Sequence, residues 1–322
     1  MDGGEQGASD MTTCLVTGGA GFIGSHLVRA LIQRGNSVRV LDDFSSGRRT
    51  NLADVAGEPE LMEASVADAG ACERACAGVD CVFHLAAAPS VPMSVDDPKT
   101  SHRSNIQGVF NMLQAARNAK VRRFVFAGSS AAYGELPGLP KREDMGVQPL
   151  SPYAVQKIVG ENYCAVFAKC YGLQTITLRY FNVFGDRQDP KSQYAAAIPA
   201  FVTKILRDEA PTVYGDGEQT RDFTHIDNVV DANMLAMDAD VTTGEIVNIA
   251  CGRRISVNEV IREINKLAGK SIRPDYVTER PGDIRHSWAD VSRAEAVLGF
   301  RPAVDLAEGL ARAIDWYRAN PG

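Results

Sequence analysis

The sequence contains no apolar run approaching the roughly eighteen residues that a membrane-spanning helix requires. No charged start leads into an apolar signal core either, so neither a membrane nor a secreted protein is expected, and the reading is cytoplasmic. Basic clusters are equally scarce. The net charge is −6, from 34 Lys and Arg against 40 Asp and Glu, and Arg48-Arg49 and Arg122-Arg123 are isolated pairs. A phosphate backbone demands a stripe of such residues, so nucleic acid is excluded as a partner, whereas a small anion needing only a few placed cations is not. The seven cysteines show neither CxxC pairing nor zinc-ligand spacing. No metal is expected, and their apolar contexts predict buried free thiols in a reducing compartment, with Cys72 and Cys76 on one helix face. Fixed-period repeats and low-complexity tracts are absent as well.

What is there reads as a large globular chain. At 322 residues, 45% hydrophobic and 23% charged, one large domain carrying a smaller second one is expected, behind a Gly-rich, aperiodic tail over Met1–Asp10 that is expected to be disordered. Short apolar runs at Thr13–Thr17, Ser37–Leu41, Glu60–Ala64, Cys81–Leu85, Arg123–Ala127 and Gln174–Tyr180 alternate with helix-length segments, the pattern of a parallel sheet covered on both faces. Phe22–Arg34 has helical spacing and stops at Gly35. Pro98–Ala119 and Pro152–Tyr171 each open with a proline suited to a first turn, and the latter ends at Gly172. Ser256–Glu259 and Asp305–Glu308 read as capping boxes. The expected fold is α/β: a Rossmann-type doubly wound parallel sheet over residues 11–183, to which 225–250 return, with 184–224 and 251–322 forming a smaller α+β substrate-binding domain.

The segment from Thr17 to Gly24 follows the first strand and opens the first helix. Gly18 and Gly21 would let the backbone approach a pyrophosphate, and Gly24 would let helix and strand pack closely. Asp42 ends the second strand, where a carboxylate can accept both hydroxyls of an adenosine ribose and repel a 2′-phosphate, which favours NAD over NADP. Asp43 is its neighbour.

Tyr153 and Lys157 stand four apart at the start of a helix, so both point from one face, and Ser129 follows the fifth strand. A tyrosine with its ordinary pKa of about 10 is a poor base at neutral pH, and each unit of lowering needs about 1.4 kcal/mol. A lysine ammonium and an oxidised nicotinamide nearby would both favour the phenolate. Tyr153 can then take an alcohol proton as hydride leaves carbon.

With these pieces in view, the chain resembles the extended short-chain dehydrogenase/reductase family from Thr13 to the C-terminus. The matching segments are TGGAGFIGS at Thr17–Ser25, HLAA at His84–Ala87, the serine of AGSSAAYG, SPYAVQK at Ser151–Lys157 and LRYFNVFG at Leu178–Gly185. The resemblance implies a cofactor site lined by Phe22, Ile23, Asp43, Phe44, Ser45, Gly47, Ser65, Val66, Leu85, Ala86, Ala87, Asn105, Tyr180 and Val183, with His84 structural. Ser65 stands where the family more often has an aspartate near adenine. The segments Gly215–Asn228 and Glu279–Asp290 are similar to the nucleotide-sugar branch. There Asn182, Arg221 and Arg280 would meet a diphosphate and Asp283 a uridine ribose, matching the bidentate grip of guanidinium on phosphate. Ser90, Val91, Ser130, Tyr194, Ala196, Tyr214 and Ser287 would complete the sugar site. A homodimer through the Pro98–Ala119 and Pro152–Tyr171 helices is implied by the resemblance alone.

Relatives that dehydrate or decarboxylate the sugar carry Asp-Glu or Ser-Glu directly after the position of Ser129. Here Ser130 and Ala131 follow, which leaves oxidation and re-reduction at C4. The Ala88–Ser94 motif and Arg285–Ser287 resemble UDP-N-acetylhexosamine 4-epimerases, because the small Ser287 leaves volume that a bulky aromatic would take. Met93, where uronate-handling relatives often carry a basic residue, gives less support to a uronic acid. A UDP-glucose-only or UDP-uronic acid 4-epimerase, and a non-catalytic NAD-binding regulator, are the alternatives.

Overall fold

The computed structural model describes residues 11–190, 197–279 and 284–320; the expected tail falls outside them. The expected strands form β1 (Thr13–Thr17), β2 (Ser37–Asp42), β3 (Glu60–Glu63), β4 (Cys81–His84), β5 (Arg123–Ser129) and β6 (Gln174–Tyr180). Short strands β7 (Val183–Phe184), β8 (Thr212–Tyr214), β9 (Thr220–Arg221) and β10 (Thr224–His225) come next, then β11 (Glu245–Ile249), β12 (Ile255–Ser256) and β13 (Asp275–Val277). The first six strands and β11 make a parallel sheet in the order β3-β2-β1-β4-β5-β6-β11. Chain direction across the sheet reverses between β1 and β4, and the crevice beyond their carboxyl ends is where such sheets bind ligands.

Helices α1 (Phe22–Gln33), α2 (Ala69–Cys76), α3 (Val91–Asp96), α4 (Pro98–His102), α5 (Gly108–Asn118) and α6 (Pro152–Tyr171) fill the gaps between strands. Helices α7 (Ala197–Leu206), α8 (Ile226–Asp238), α9 (Val257–Ala268), α10 (Ser292–Leu298) and α11 (Leu306–Ala319) belong to the later half. Strands β4, β5 and β6 are buried almost end to end, as strands covered on both faces must be. One face packs Leu27, Val28 and Leu31 of α1 with Val229, Ala232 and Ala236 of α8. The other packs Cys72 and Ala75 of α2 with Met112 and Leu113 of α5 and Cys164 and Phe167 of α6.

Helix α6 shows why the chain breaks where it does. The Ser151 hydroxyl accepts the Ala154 N–H at 3.2 Å, Pro152 occupies the first turn, and Gly172 closes the helix at φ +71°, a conformation that costs glycine least. The expected single helix Pro98–Ala119 is instead interrupted by a π turn at Arg103–Gln107. Of the two expected capping boxes, Ser256–Glu259 is complete. Asp305 accepts the Glu308 N–H, but the Glu308 carboxylate turns to Arg312, so that cap is one-sided.

A second core joins Phe201, Val202 and Ile205 of α7, Val260, Ile261 and Ile264 of α9, and Leu310, Ala313 and Ile314 of α11. Ala294, Leu298 and Phe300 instead pack into the core on the α1 and α8 face of the sheet, so the chain after Cys251 divides between the two cores. Five cysteines are buried as expected, but Cys170, in the last turn of α6, is exposed and Cys251 is half-buried. Burial pushes the Cys72 and Cys76 thiols up to about 12. No described helix is long and apolar enough to cross a membrane.

Candidate active site

The turn after β1 is shaped by crowding. Gly18 sits at φ +68°, and a Cβ on it would meet the Ala86 nitrogen at 2.8 Å; one on Gly24 would meet the Gly18 carbonyl oxygen at 2.1 Å. Helix α1 therefore lies hard against the turn. Its N-cap is Gly21, and no side chain caps the first-turn amides, in contrast to Ser151 on α6. These open N–H groups, at the positive end of a helix beside the β1/β4 crevice, fit a pyrophosphate. Phe22 and Ile23 begin that helix and pack half-buried against the sheet core.

Asp42 ends β2 at 7% exposure. Its Oδ2 accepts the Ala20 N–H at 2.9 Å and its Oδ1 the Phe44 N–H at 2.8 Å, so the carboxylate first ties the glycine turn to the loop after β2. Burial raises its pKa above the ordinary value. Gly47 closes over it, since a Cβ there would meet Asp42 Oδ1 at 3.0 Å. Asp43 is exposed and accepts both the N–H and the hydroxyl of Ser45. Burial pushes Asp43 up, but the hydrogen bonds from Ser45 and Ser65 outweigh it and hold the carboxyl below its usual value. Phe44 takes a left-handed conformation, φ +55°, with the Arg49 guanidinium 4.2 Å above its ring.

Ser65 and Val66 follow β3, and the Val66 carbonyl accepts the Asn111 amide at 3.0 Å. Leu85, Ala86 and Ala87 follow β4, where the Ala86 N–H donates to the Thr17 hydroxyl at 3.2 Å. That hydroxyl also meets His84 Nδ1 at 2.9 Å. Burial and then the Lys157 charge pull His84 down to about 3, so it is a neutral, structural imidazole. Asn105 lies in the π turn, where its amide spans the Ala88 main chain at 2.7 and 3.1 Å and donates to Gln156 at 2.7 Å. The Tyr180 phenol donates to Asn233 at 3.0 Å inside the core, so Tyr180 presents its main chain, not its hydroxyl, to the sheet edge. Val183 stands three residues on, in β7, also against that core.

Ser129 ends β5 opposite Tyr180; its hydroxyl accepts the Ala131 N–H at 3.2 Å and lies near enough to the Tyr153 phenol to favour its ionised form. Tyr153 and Lys157 project from the first turns of α6. Burial raises the Tyr153 pKa, with the Ser129 bond opposing it. The Lys157 ammonium donates to the Ala127 carbonyl at 2.8 Å and lies 5.1 Å from the Phe126 ring centroid and 5.8 Å from that of Tyr153. Burial pulls it down to about 8, with Glu161 and Cys164 opposing. The expected lowering of the tyrosine by the lysine is therefore not what governs Tyr153 here; its burial is. Ser94 also belongs to the site, since its hydroxyl accepts the Tyr153 N–H at 3.0 Å and donates to the Val91 carbonyl at 2.7 Å. Ser90 caps that same short helix through the Met93 N–H.

Of the residues expected to meet a sugar nucleotide, Arg221 lies on β9, and its guanidinium donates to the Thr220 carbonyl at 2.9 Å. Thr220 bonds through its main chain to both Arg285 and Ser287, at 2.9 and 3.0 Å, which brings Ser287 beside Arg221. Arg285 pairs with Asp216 at 2.7 Å. Asn182 is exposed, and its carbonyl accepts the Thr224 N–H. Tyr214 ends β8 at 36% exposure. Ser130 follows Ser129 half-buried. Tyr194, Ala196, Arg280 and Asp283 lie outside the described residues.

Sequence reasoning missed Asp222, a fully buried carboxylate that accepts main-chain N–H groups of Cys251, Arg253 and Ala289. Burial pushes it up to about 6. Directly after the strand bearing Arg221, it anchors that strand to two other segments, the 251–253 loop and the chain at Ala289. Glu161, Arg179 and Gln156 were missed too, although the buried face of α6 and a fully covered strand are themselves odd places for polar groups. A cavity of about 980 Å³ between the β2–β3 connection and α7 and α11 contains none of Ser129, Tyr153 and Lys157.

The sequence profile of the NAD dependent epimerase/dehydratase family matches residues 14–250. A UDP-glucose 4-epimerase of Mycolicibacterium smegmatis is 39% identical over 308 residues, covering 94% of this chain and 98% of the relative. A solved UDP-N-acetylglucosamine 4-epimerase from Methanobrevibacter ruminantium M1, in complex with UDP-N-acetylmuramic acid, is 40% identical with a TM-score of 0.92 over 96% of this chain and 99% of that one. The Thermotoga maritima UDP-glucose 4-epimerase, with UDP-glucose, has a TM-score of 0.92 at 38% identity, over 97% of this chain and all of that one.

Proposed function

The chain belongs to the NAD dependent epimerase/dehydratase family, and from that premise we propose that it interconverts UDP-N-acetylglucosamine and UDP-N-acetylgalactosamine at C4, with UDP-glucose and UDP-galactose as further substrates. The coarser statement, an NAD-dependent UDP-sugar 4-epimerase, is carried by the relatives on both sides of that sugar distinction. The observation that supports the reaction is the meeting of Ser129, Tyr153 and Lys157 at one sheet edge, with Ser130 and Ala131, not an acidic residue, next in the chain. No side chain at those two positions can remove a proton from a carbon beside a transient ketone.

Bound NAD supplies the acceptor and donor of the C4 hydride. Tyr153 takes the C4 hydroxyl proton in the first half of the cycle and returns it in the second. Ser129 holds the same oxygen by a hydrogen bond, and Lys157 places a positive charge beside the phenol. The 4-keto sugar turns over between the two half-reactions while the diphosphate stays gripped, which is the role assigned to Arg221 with Asn182 and Arg280, Asp283 holding the uridine ribose. Ser287 beside Arg221 supports the acetamido-sugar reading, because its small side chain leaves room there. We also infer a homodimer through α5 and α6, whose Phe110, Val155, Val166 and Tyr171 are 38–50% exposed.

Incubating the purified protein with a panel of UDP-sugars and separating the C4 epimers tests this reading. Conversion of the N-acetylated pair is expected. Turnover of UDP-uronic acids alone would overturn the sugar assignment, and bound NAD without turnover of any UDP-sugar would favour the regulator.

A further inference from the structure

One helical turn beyond Lys157, on the same face of α6, stands Glu161, and it is 2% exposed. Arg179, next to last in β6, grips it with two parallel hydrogen bonds, Nε to Oε1 at 2.9 Å and Nη2 to Oε2 at 2.7 Å. Taking two charges out of water is costly for each ion before their attraction offsets it, and an apolar pair of the same volume is often as stable. A fold gains little from such a pair in its core, so its place beside the catalytic helix calls for a reason.

The surroundings are shaped for it. Gly128, immediately before Ser129, would carry a Cβ only 3.0 Å from Glu161 Oε1, so the glycine leaves space for the carboxylate. Gly160 lets α6 close onto β5, since a Cβ there would meet the Phe126 ring at 2.4 Å, and Phe126 is the ring beside the Lys157 ammonium. Arg179 is itself held from the other side: its guanidinium lies 4.8 Å from the Tyr133 ring centroid, and the Tyr133 hydroxyl donates to Asn248 at 2.7 Å.

We propose that Glu161, clamped by Arg179, is a positioning residue for the reaction, its carboxylate being the counter-charge that holds the Lys157 ammonium in place beside Tyr153. The groups that face Lys157 are Tyr153, Glu161 and Cys164 on α6 and His84 on β4, with Arg179 reaching it through Glu161. His84 is neutral and burial holds the Cys164 thiol far above its usual range. Tyr153 is likewise raised. Among these described groups Glu161 alone brings negative charge, and it works against the burial that has already drawn Lys157 down to about 8.

The inference rests on the epimerase reading only where turnover is measured, so the primary test is a nitrogen-NMR titration of Lys157 in the NAD-loaded protein, its signal assigned by loss in Lys157→Met. Glu161→Gln should lower the Lys157 midpoint by about one pH unit, the low end of what a neighbouring opposite charge is worth. Arg179→Met, which frees the carboxylate of its competing cation, should raise it. The alkaline limb of the kcat profile should move in the same two directions, with KM for the UDP-sugar unchanged. An unmoved midpoint in Glu161→Gln would make the pair a structural clamp and overturn the proposal. Should that variant fail to fold, Glu161→Leu combined with Arg179→Met removes both buried charges. A smaller fall in the midpoint then supports the proposal, and no change overturns it. Movement of the midpoint in a protein that converts no UDP-sugar supports the role of Glu161 while removing the epimerase reading.

Discussion

Gly18, Asp42, Ser65, Leu85 and Ser129, proposed to face the cofactor, lie at or just beyond the carboxyl ends of successive strands. Arg221 and Ser287, proposed to face the sugar nucleotide, owe their places to a bridge through Thr220 and to Asp222, which ties three segments together. A site built on strand ends inherits its geometry from the sheet, so changes there should act on every substrate alike. A site built from bridged segments can change its lining without disturbing the sheet, and changes there should discriminate among sugars.

The largest effect is expected at the shared chemistry. Tyr153→Phe should lower kcat by about a thousandfold, within the range of general base catalysis, on acetylated and plain UDP-sugars equally. UDP-sugar affinity by calorimetry should stay near wild type. Retained turnover would assign the base elsewhere, and unequal losses would blur the division between the two sides.

Lys157→Met should cost about a hundredfold in kcat and also change the dependence of stability on pH. The lysine keeps its proton to 10.5 when unfolded but only to about 8 in the folded protein. Between these values the unfolded state binds more protons, so wild-type stability rises with pH through that window. Denaturant titrations of Lys157→Met should show that rise flattened. A rise as steep as in the wild type would mean that Lys157 is not the group responsible.

The sharpest contrast comes from Ser287→Tyr. Filling the space beside Arg221 should cost roughly 1–3 kcal/mol for a group that must share it, or about five- to hundredfold in rate, on UDP-N-acetylglucosamine and UDP-N-acetylgalactosamine. UDP-glucose and UDP-galactose should be spared, and equal losses in both classes would reduce Ser287 to a structural part.

The smallest effect is expected at Asp42. Asp42→Ala removes the charge that disfavours a 2′-phosphate, so the NAD-over-NADP preference in equilibrium binding should fall by about tenfold, in line with roughly 1.5–3 kcal/mol for a hydrogen bond to a charged group. Because the Ala20 and Phe44 amides also lose their acceptor, the melting temperature should drop. A drop with unchanged preference would leave Asp42 as an anchor only.

The same contrast explains what could be read from residues alone. The strand, glycine turn, helix and Asp42 are local in sequence, and α6 ends where Pro152 and Gly172 require it. The π turn that carries Asn105 breaks a helix with no proline or change of residue type to announce it. Glu161 and Arg179 were illegible for another reason: an ion pair between a helix and a strand depends on register, which α6 acquires only by packing on β5. Cys170 has an apolar context, yet it falls on the solvent side of the last helical turn.

The central claim is that C4 is oxidised and re-reduced within one site, and the measurement closest to it follows a label. UDP-N-acetylglucosamine bearing deuterium at C4 should give UDP-N-acetylgalactosamine that keeps the deuterium at C4, with no stoichiometric release of NADH. Loss of the label to solvent, or NADH accumulating with the product, would contradict it.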